Sequence, residues 1–116
     1  MIEIKRVTDV DFIKSIVDVD DGDIFFAAFE AGEMTGYCRC RLDGETVTLI
    51  DLVEKNGDML IADAVARAAV AACRGAGTVE YNEENAFLVK YCGMTGEFAA
   101  GKTPADDFLK GTCGMK

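Results

Sequence analysis

The chain holds five cysteines and no histidine. Its reactive groups are therefore thiols, carboxylates, amines and phenols, and an imidazole base or a His-rich metal site is excluded. Cys38 and Cys40 fall two residues apart, which puts both thiols on one face of a strand, and with Cys92 and Cys113 they are the available soft ligands. A C-x-C pair without His is a poor zinc signature, and no C-x-x-C pair accompanies it. Two carboxylates of one segment differ in setting. Asp51 alternates with Val47, Leu49 and Val53 and is expected on their face, partly buried. Glu54 follows at the end of the same segment on the opposite face, and Glu80 lies on a later segment.

These groups sit on elements that the pattern of the chain predicts. Residues 2–7 alternate as a first strand. Thr8, three residues before Asp11, opens a short helix with Phe12, Ile13, Ile16 and Val17 on its apolar face. Strands are predicted over 24–30, 34–42 and 46–53, joined by Ala31-Gly32-Glu33 and Asp43-Gly44-Glu45 as tight hairpin connections. Asp58 caps a long Ala-rich helix that runs to about Arg74, where Gly75 and Gly77 stop it. As a cap, its carboxylate also fills the anion site of that helix N-terminus. On this helix Asp63 and Arg67 are four apart and can pair, and the wide apolar remainder predicts contact on more than one side. A strand at 78–81 follows, then a helix that Asn82 caps, with Phe87, Leu88 and Tyr91 on its face and Gly93 after its end. A strand at 95–99 and a helical turn or two at 104–110 complete a mixed α/β order.

With 12 Lys plus Arg against 21 Asp plus Glu, the net charge is −9. That sign argues against nonspecific nucleic-acid binding and against docking on an anionic membrane, both of which need basic residues. No stretch reads as a membrane span or a secretory leader, so the thiols are expected reduced in the cytoplasm, several buried as small apolar residues. The length predicts one domain over 1–116.

Several segments, in order, resemble the GNAT superfamily of acyl-CoA-dependent N-acyltransferases. Ile4-Lys5-Arg6-Val7-Thr8 with Asp11 is similar to its first strand and helix start, Phe29 through Leu42 to its second and third strands, and Val47–Val53 to its fourth. Asn82-Glu83-Glu84-Asn85-Ala86-Phe87 through Gly93-Met94 is similar to its late helix motif. The resemblance covers roughly residues 2–98. It implies a mixed, mostly antiparallel central sheet with helices on both faces, acetyl-CoA or another acyl-CoA as cofactor, and an amine as acceptor. Cofactor contacts would then fall on Val53, Lys55, Gly57, Leu60 and Ala62. The base would be Asp51 or Glu54, and Tyr91 is the available acid.

The chain departs from the family at each of these points. The family signature at the mouth of the long helix is Arg or Gln, two residues, Gly, one residue, then Gly or Ala, because backbone N–H groups and the helix dipole there hold a pyrophosphate. Gly57, Leu60 and Ala62 align with it and only Ala62 fits. Leu60 crowds the loop, Asp58 adds a negative charge, and Lys55 is the nearby cation. The family's tyrosine position, seven residues after Asn82, is Val89, and Tyr91 lies about 200° further round the helix. A single short helix and an acidic loop separate the first two strands, so an acceptor site would be open and acidic and would suit a cationic amine. These losses favour a catalytically silent binding or regulatory module, expected as a homodimer through the Ala-rich helix or a sheet edge. The competing expectation is a minimal N-acyltransferase.

Overall fold

Alternating apolar and polar residues make β1 (Ile2–Arg6), and the chain then turns through the short helix α1 (Val10–Lys14) into three consecutive strands, β2 (Ile24–Glu30), β3 (Glu33–Asp43) and β4 (Thr46–Glu54). The helix α2 (Met59–Ala72) crosses over to β5 (Thr78–Tyr81), and α3 (Ala86–Thr95), β6 (Lys102–Pro104) and α4 (Ala105–Lys110) follow. A computed structural model of the chain describes residues 2–17, 22–95, 98 and 101–110. The six strands form one sheet in chain order. Every pairing is antiparallel except β4 with β5, which are parallel because α2 returns the chain to its starting end. This is the expected mixed, mostly antiparallel sheet.

Helices cover both faces. On one, Ile13 of α1 packs with Phe25, Ala27 and Tyr37. On the other, Ala62, Val65, Ala66, Ala69 and Val70 of α2 are buried with Ala28, Cys38, Cys40, Leu49 and Leu52 of the sheet. Each fully buried valine or leucine there contributes roughly 1.5–3 kcal/mol. The helices α3 and α4 also touch α2. Its wide apolar surface is thus covered largely by its own chain. No helix among the described residues is long and apolar enough to cross a membrane.

The structure departs from the sequence expectations at three places. The cap of α1 is Asp9, whose Oδ1 accepts the Phe12 N–H at 3.1 Å, in place of Thr8. Asn82 caps a turn, and the helix itself starts at Ala86 with Asn85 accepting the Leu88 N–H at 2.9 Å, then runs through Gly93 to Thr95. Thr95 therefore ends a helix. Residues 96, 97 and 99 of the expected strand lie outside the described residues, and the sixth strand is at Lys102–Pro104. Pro104 is tolerated because β6 is an edge strand.

Candidate functional site

The register of β3 against β4 slips between Arg39 and Cys40, so that Arg39 faces Asp51 and Cys40 faces Leu49, with Ile50 as the extra residue. The bulge reverses the parity of the rest of β4. Leu52 and Glu54 now point toward α2 with Val47 and Leu49, whereas Asp51 and Val53 point to the α1 face. This corrects the expectation that Asp51 shares a face with Leu49. It also makes Glu54 the buried carboxylate, 5% exposed.

At the same bulge β5 leaves β4. The two pair from Thr46–Thr78 to Leu49–Tyr81 and no further. Asn82 makes the parting by donating its N–H to the Leu49 carbonyl at 2.8 Å and its side-chain amide to the Ile50 carbonyl at 3.4 Å, before the chain turns into α3. Among the described residues Asp51–Glu54 consequently pair with β3 and not with β5, and one backbone edge of this segment has no strand neighbour there.

The loop from β4 into α2 is packed around the Glu54 carboxylate. Gly57 takes φ +72, a left-handed conformation that L side chains resist, which folds the loop back. Glu54 Oε1 accepts the N–H groups of Asn56 at 2.6 Å and Asp58 at 2.9 Å. Asp58 Oδ1 in turn accepts those of Leu60 at 3.0 Å and Ile61 at 3.3 Å. The Gly57 and Ala62 amides reach the Glu54 and Asp58 carbonyls, and Lys55 N–H reaches the Thr35 carbonyl. Gly36 makes room opposite, since a Cβ there would stand 2.6 Å from the Val53 carbonyl oxygen and 3.3 Å from Glu54 Cγ. The second oxygen, Glu54 Oε2, is buried with no hydrogen-bond partner among the described residues. Lys55 is half exposed and lies 3.8 Å from Glu33. Leu60 stands out into solvent, while Ala62 is buried beneath the first turn.

Asp51 belongs to a different group of charges. Arg39 bridges Asp51, at 2.7 Å from Nη2, and Asp23, at 3.3 Å from Nη1; Arg41 Nε adds a second contact to Asp23 at 2.7 Å. Beside them Tyr37 stacks on Phe25 with centroids 4.9 Å apart. Burial, reinforced by the Asp51 charge and opposed by Arg39, raises the Tyr37 phenol above its usual range.

Tyr91 is fully buried and donates its hydroxyl to Asp63 Oδ1 at 2.6 Å. Asp63 also takes Arg67 Nε on both oxygens at 2.8 and 2.9 Å, and the Arg67 guanidinium lies 4.7 Å over the ring of Phe108. Burial and then the Asp63 hydrogen bond push the Tyr91 phenol well above its usual range. Val89, at the family's tyrosine position, is 43% exposed.

The structure thus brings Val53, Glu54, Lys55, Gly57, Leu60 and Ala62 together at the end of β4, ties Asp51 into a neighbouring ion-pair group, and holds Tyr91 apart in the core. Asp63, Asp23 and Arg39 are the residues that sequence reasoning undervalued. A lone acid inside an apolar helix face, and two arginines alternating with cysteines along one strand, were the available signals. Cys38, Cys40, Cys73 and Cys92 are all buried, Cys113 lies outside the described residues, and no group of metal-ligating side chains occurs among the described residues.

No protein-family model matches the chain, and no curated protein matches it in sequence. Solved structures do match its fold. The ribosomal-protein-S18-alanine N-acetyltransferase of Escherichia coli superposes with a TM-score of 0.64 at 12% identity over 90% of this chain and 94% of that one. A GNAT-family acetyltransferase of Streptococcus pneumoniae gives 0.56 at 17% identity over 80% and 86%. The Escherichia coli protein YhhK, solved bound to coenzyme A, gives 0.57 at 15% identity over 80% and 84%. Parted parallel strands, a bulged fourth strand and a crossover helix thus meet in this chain in the fold of the GNAT acetyltransferases.

Proposed function

We propose that this chain is a binding or regulatory module on the acetyltransferase fold, with its cofactor loop closed by its own carboxylates. The observation that carries the reading is the capture of four loop and helix amides, those of Asn56, Asp58, Leu60 and Ile61, by Glu54 and Asp58. An acyl-CoA pyrophosphate would need these donors and would meet two like charges in their place. At an effective dielectric of 20 and about 4 Å, each such pair opposes binding by about 4 kcal/mol, more than the 0.3–1 kcal/mol a helix dipole returns. The residues present therefore do not fit the cofactor. Tyr91, committed to Asp63, supports the same reading.

The module is proposed to act in the cytoplasm and to pair as a homodimer along the outer edge of β1, one of the two edge strands of the described sheet. Calorimetric titration with acetyl-CoA and CoA is expected to show no binding up to about millimolar, weaker than ~−4 kcal/mol. Micromolar dissociation constants would overturn the reading. Gel filtration at monomer size at low micromolar concentration would remove the dimer.

One observation favours a second reading, a minimal acyl-CoA-dependent N-acyltransferase acting on a small cationic amine. The edge of Asp51–Glu54 stands open where β5 departs. Under this reading Glu54 releases its amides when the cofactor enters, Asp51 or Glu54 is the base and Tyr91 the acid. Val53, Lys55, Gly57, Leu60 and Ala62 are then the cofactor contacts. Micromolar binding followed by amine-dependent CoA release would establish it.

A further inference from the structure

Two thiols distant in sequence meet in the core. Cys40 Sγ, on β3, lies 3.8 Å from Cys73 Sγ, at the C-cap of α2. Both also lie within sulfur hydrogen-bond range of the Ala69 carbonyl, at 3.9 and 3.5 Å. We propose that Cys40 and Cys73 are an oxidation site that a peroxide converts to a disulfide stapling β3 to α2.

Three features of the structure support the assignment. The first is distance. Closing from 3.8 Å to a bond of about 2.05 Å asks each sulfur to move only about 0.9 Å. The second is protonation. Either sulfur can donate across the 3.8 Å contact, so one thiol can hold a proton while the other is the thiolate, and the Arg6 charge favours the thiolate at Cys73. Cys73 is assigned as the nucleophile on this charge and on its access. The third is access. Cys40 is fully buried, whereas Cys73 is 4% exposed and directly precedes the exposed residues Arg74 and Gly75. Among the described residues neither Cys38 nor Cys92 makes a sulfur–sulfur contact of this kind.

The chemistry balances in two steps. The Cys73 thiolate attacks one peroxide oxygen, the O–O bond breaks, and Cys73 becomes a sulfenic acid while the other oxygen leaves and takes a proton. The Cys40 sulfur then displaces hydroxide from Cys73, and the released hydroxide takes the Cys40 proton to leave as water. Two thiols are oxidised and one hydrogen peroxide is reduced to two waters. The product closes a loop across a separation of 33 residues, which restrains the unfolded chain.

The test treats the full chain with a small molar excess of hydrogen peroxide, alkylates the remaining thiols in denaturant, and maps the non-reduced peptides by mass. The expected result is a Cys40–Cys73 link lacking two hydrogens, reversed by dithiothreitol, with a thermal midpoint raised by about 10 °C. Cys113→Ser should retain the link and Cys73→Ala should abolish it. Recovery of both Cys40 and Cys73 as alkylated thiols from folded, peroxide-treated protein would overturn the proposal. A dominant link through Cys38, Cys92 or Cys113 would do the same. The wild-type map decides the matter even where a cysteine variant fails to fold.

Discussion

The Tyr91 hydroxyl donates to Asp63 Oδ1 at 2.6 Å and so ties α3 to α2 through a carboxylate with no solvent exposure. Such a carboxylate is tolerated because Arg67 supplies the opposite charge and Tyr91 a further donor. Tyr91→Phe is expected to lower stability by about 1–2 kcal/mol, the effect of removing one donor from a buried acceptor. Asp63→Ala should lower it by about 3–5 kcal/mol, since it removes from the core the carboxylate that takes Arg67 Nε on both oxygens. Urea unfolding of both variants and the double variant checks this through their coupling. Unchanged stability in Tyr91→Phe would return Tyr91 to the list of catalytic candidates.

The closed loop makes a prediction of opposite sign. Gln at position 54 keeps an Oε1 for the Asn56 and Asp58 amides, and Asn caps a helix as well as Asp does. The Glu54→Gln/Asp58→Asn double variant should therefore stay within about 1 kcal/mol of the parent in stability. Its affinity for CoA should rise at least tenfold, about 1.4 kcal/mol, once the two charges are gone. Calorimetry on parent and variant side by side measures the difference. A variant as silent as the parent would mean that the charge of the two carboxylates is not the barrier, since the variant preserves the capture of the amides.

Alkaline pH should destabilise the protein. Burial raises the Cys38 thiol far above 9.0 and pushes Cys92 up to about 12, and the Tyr91 phenol rises from 10.0. Each group keeps its proton in the folded state after the unfolded chain has released it, so the native state binds more protons there and stability falls with pH. The contribution is whole below 9.0 for the thiols and is lost as pH climbs toward the folded values. The shifts of Cys40 and Cys73 oppose each other. Urea midpoints should be level to about pH 8.5 and then decline. Cys92→Ala should remove one proton from the slope between 9.0 and about 12. A flat profile through that range would contradict the burial of these groups.

Arg39 spans Asp23 and Asp51 with separate nitrogens of one guanidinium, and the Asp23 side chain is only 2% exposed. Arg39→Ala should lower stability by about 3 kcal/mol, because it withdraws this charge from a buried acid. Arg39→Lys should recover only part, since a single ammonium cannot bridge both carboxylates in the same way. Breaking the exposed Lys5–Glu3 pair with Lys5→Ala should change stability by no more than about 0.5 kcal/mol. Denaturation midpoints of the three variants test the order.

Strands β2 to β5 and the span of α2 were legible in the sequence because their signals are local. Period-two alternation, Gly32 and Gly44 in the hairpins, and the Asp58 cap each act within a few residues. The same locality exposed the departures from the family pattern, since Leu60, Asp58 and Val89 can be read position by position. Tertiary structure decided the rest. One extra residue at Ile50, visible only in the register with β3, moved Asp51 to the α1 face and turned Glu54 under the loop. Tyr91 and Asp63 are 28 residues apart and Cys40 and Cys73 are 33 apart, so their meetings depend on how α2 and α3 settle on the sheet. Composition and short-range pattern determine which elements form and how charged they are. Which side chains meet is set by register and packing, because a carboxylate or thiol finds its partner only after the chain has brought distant segments within a few ångströms.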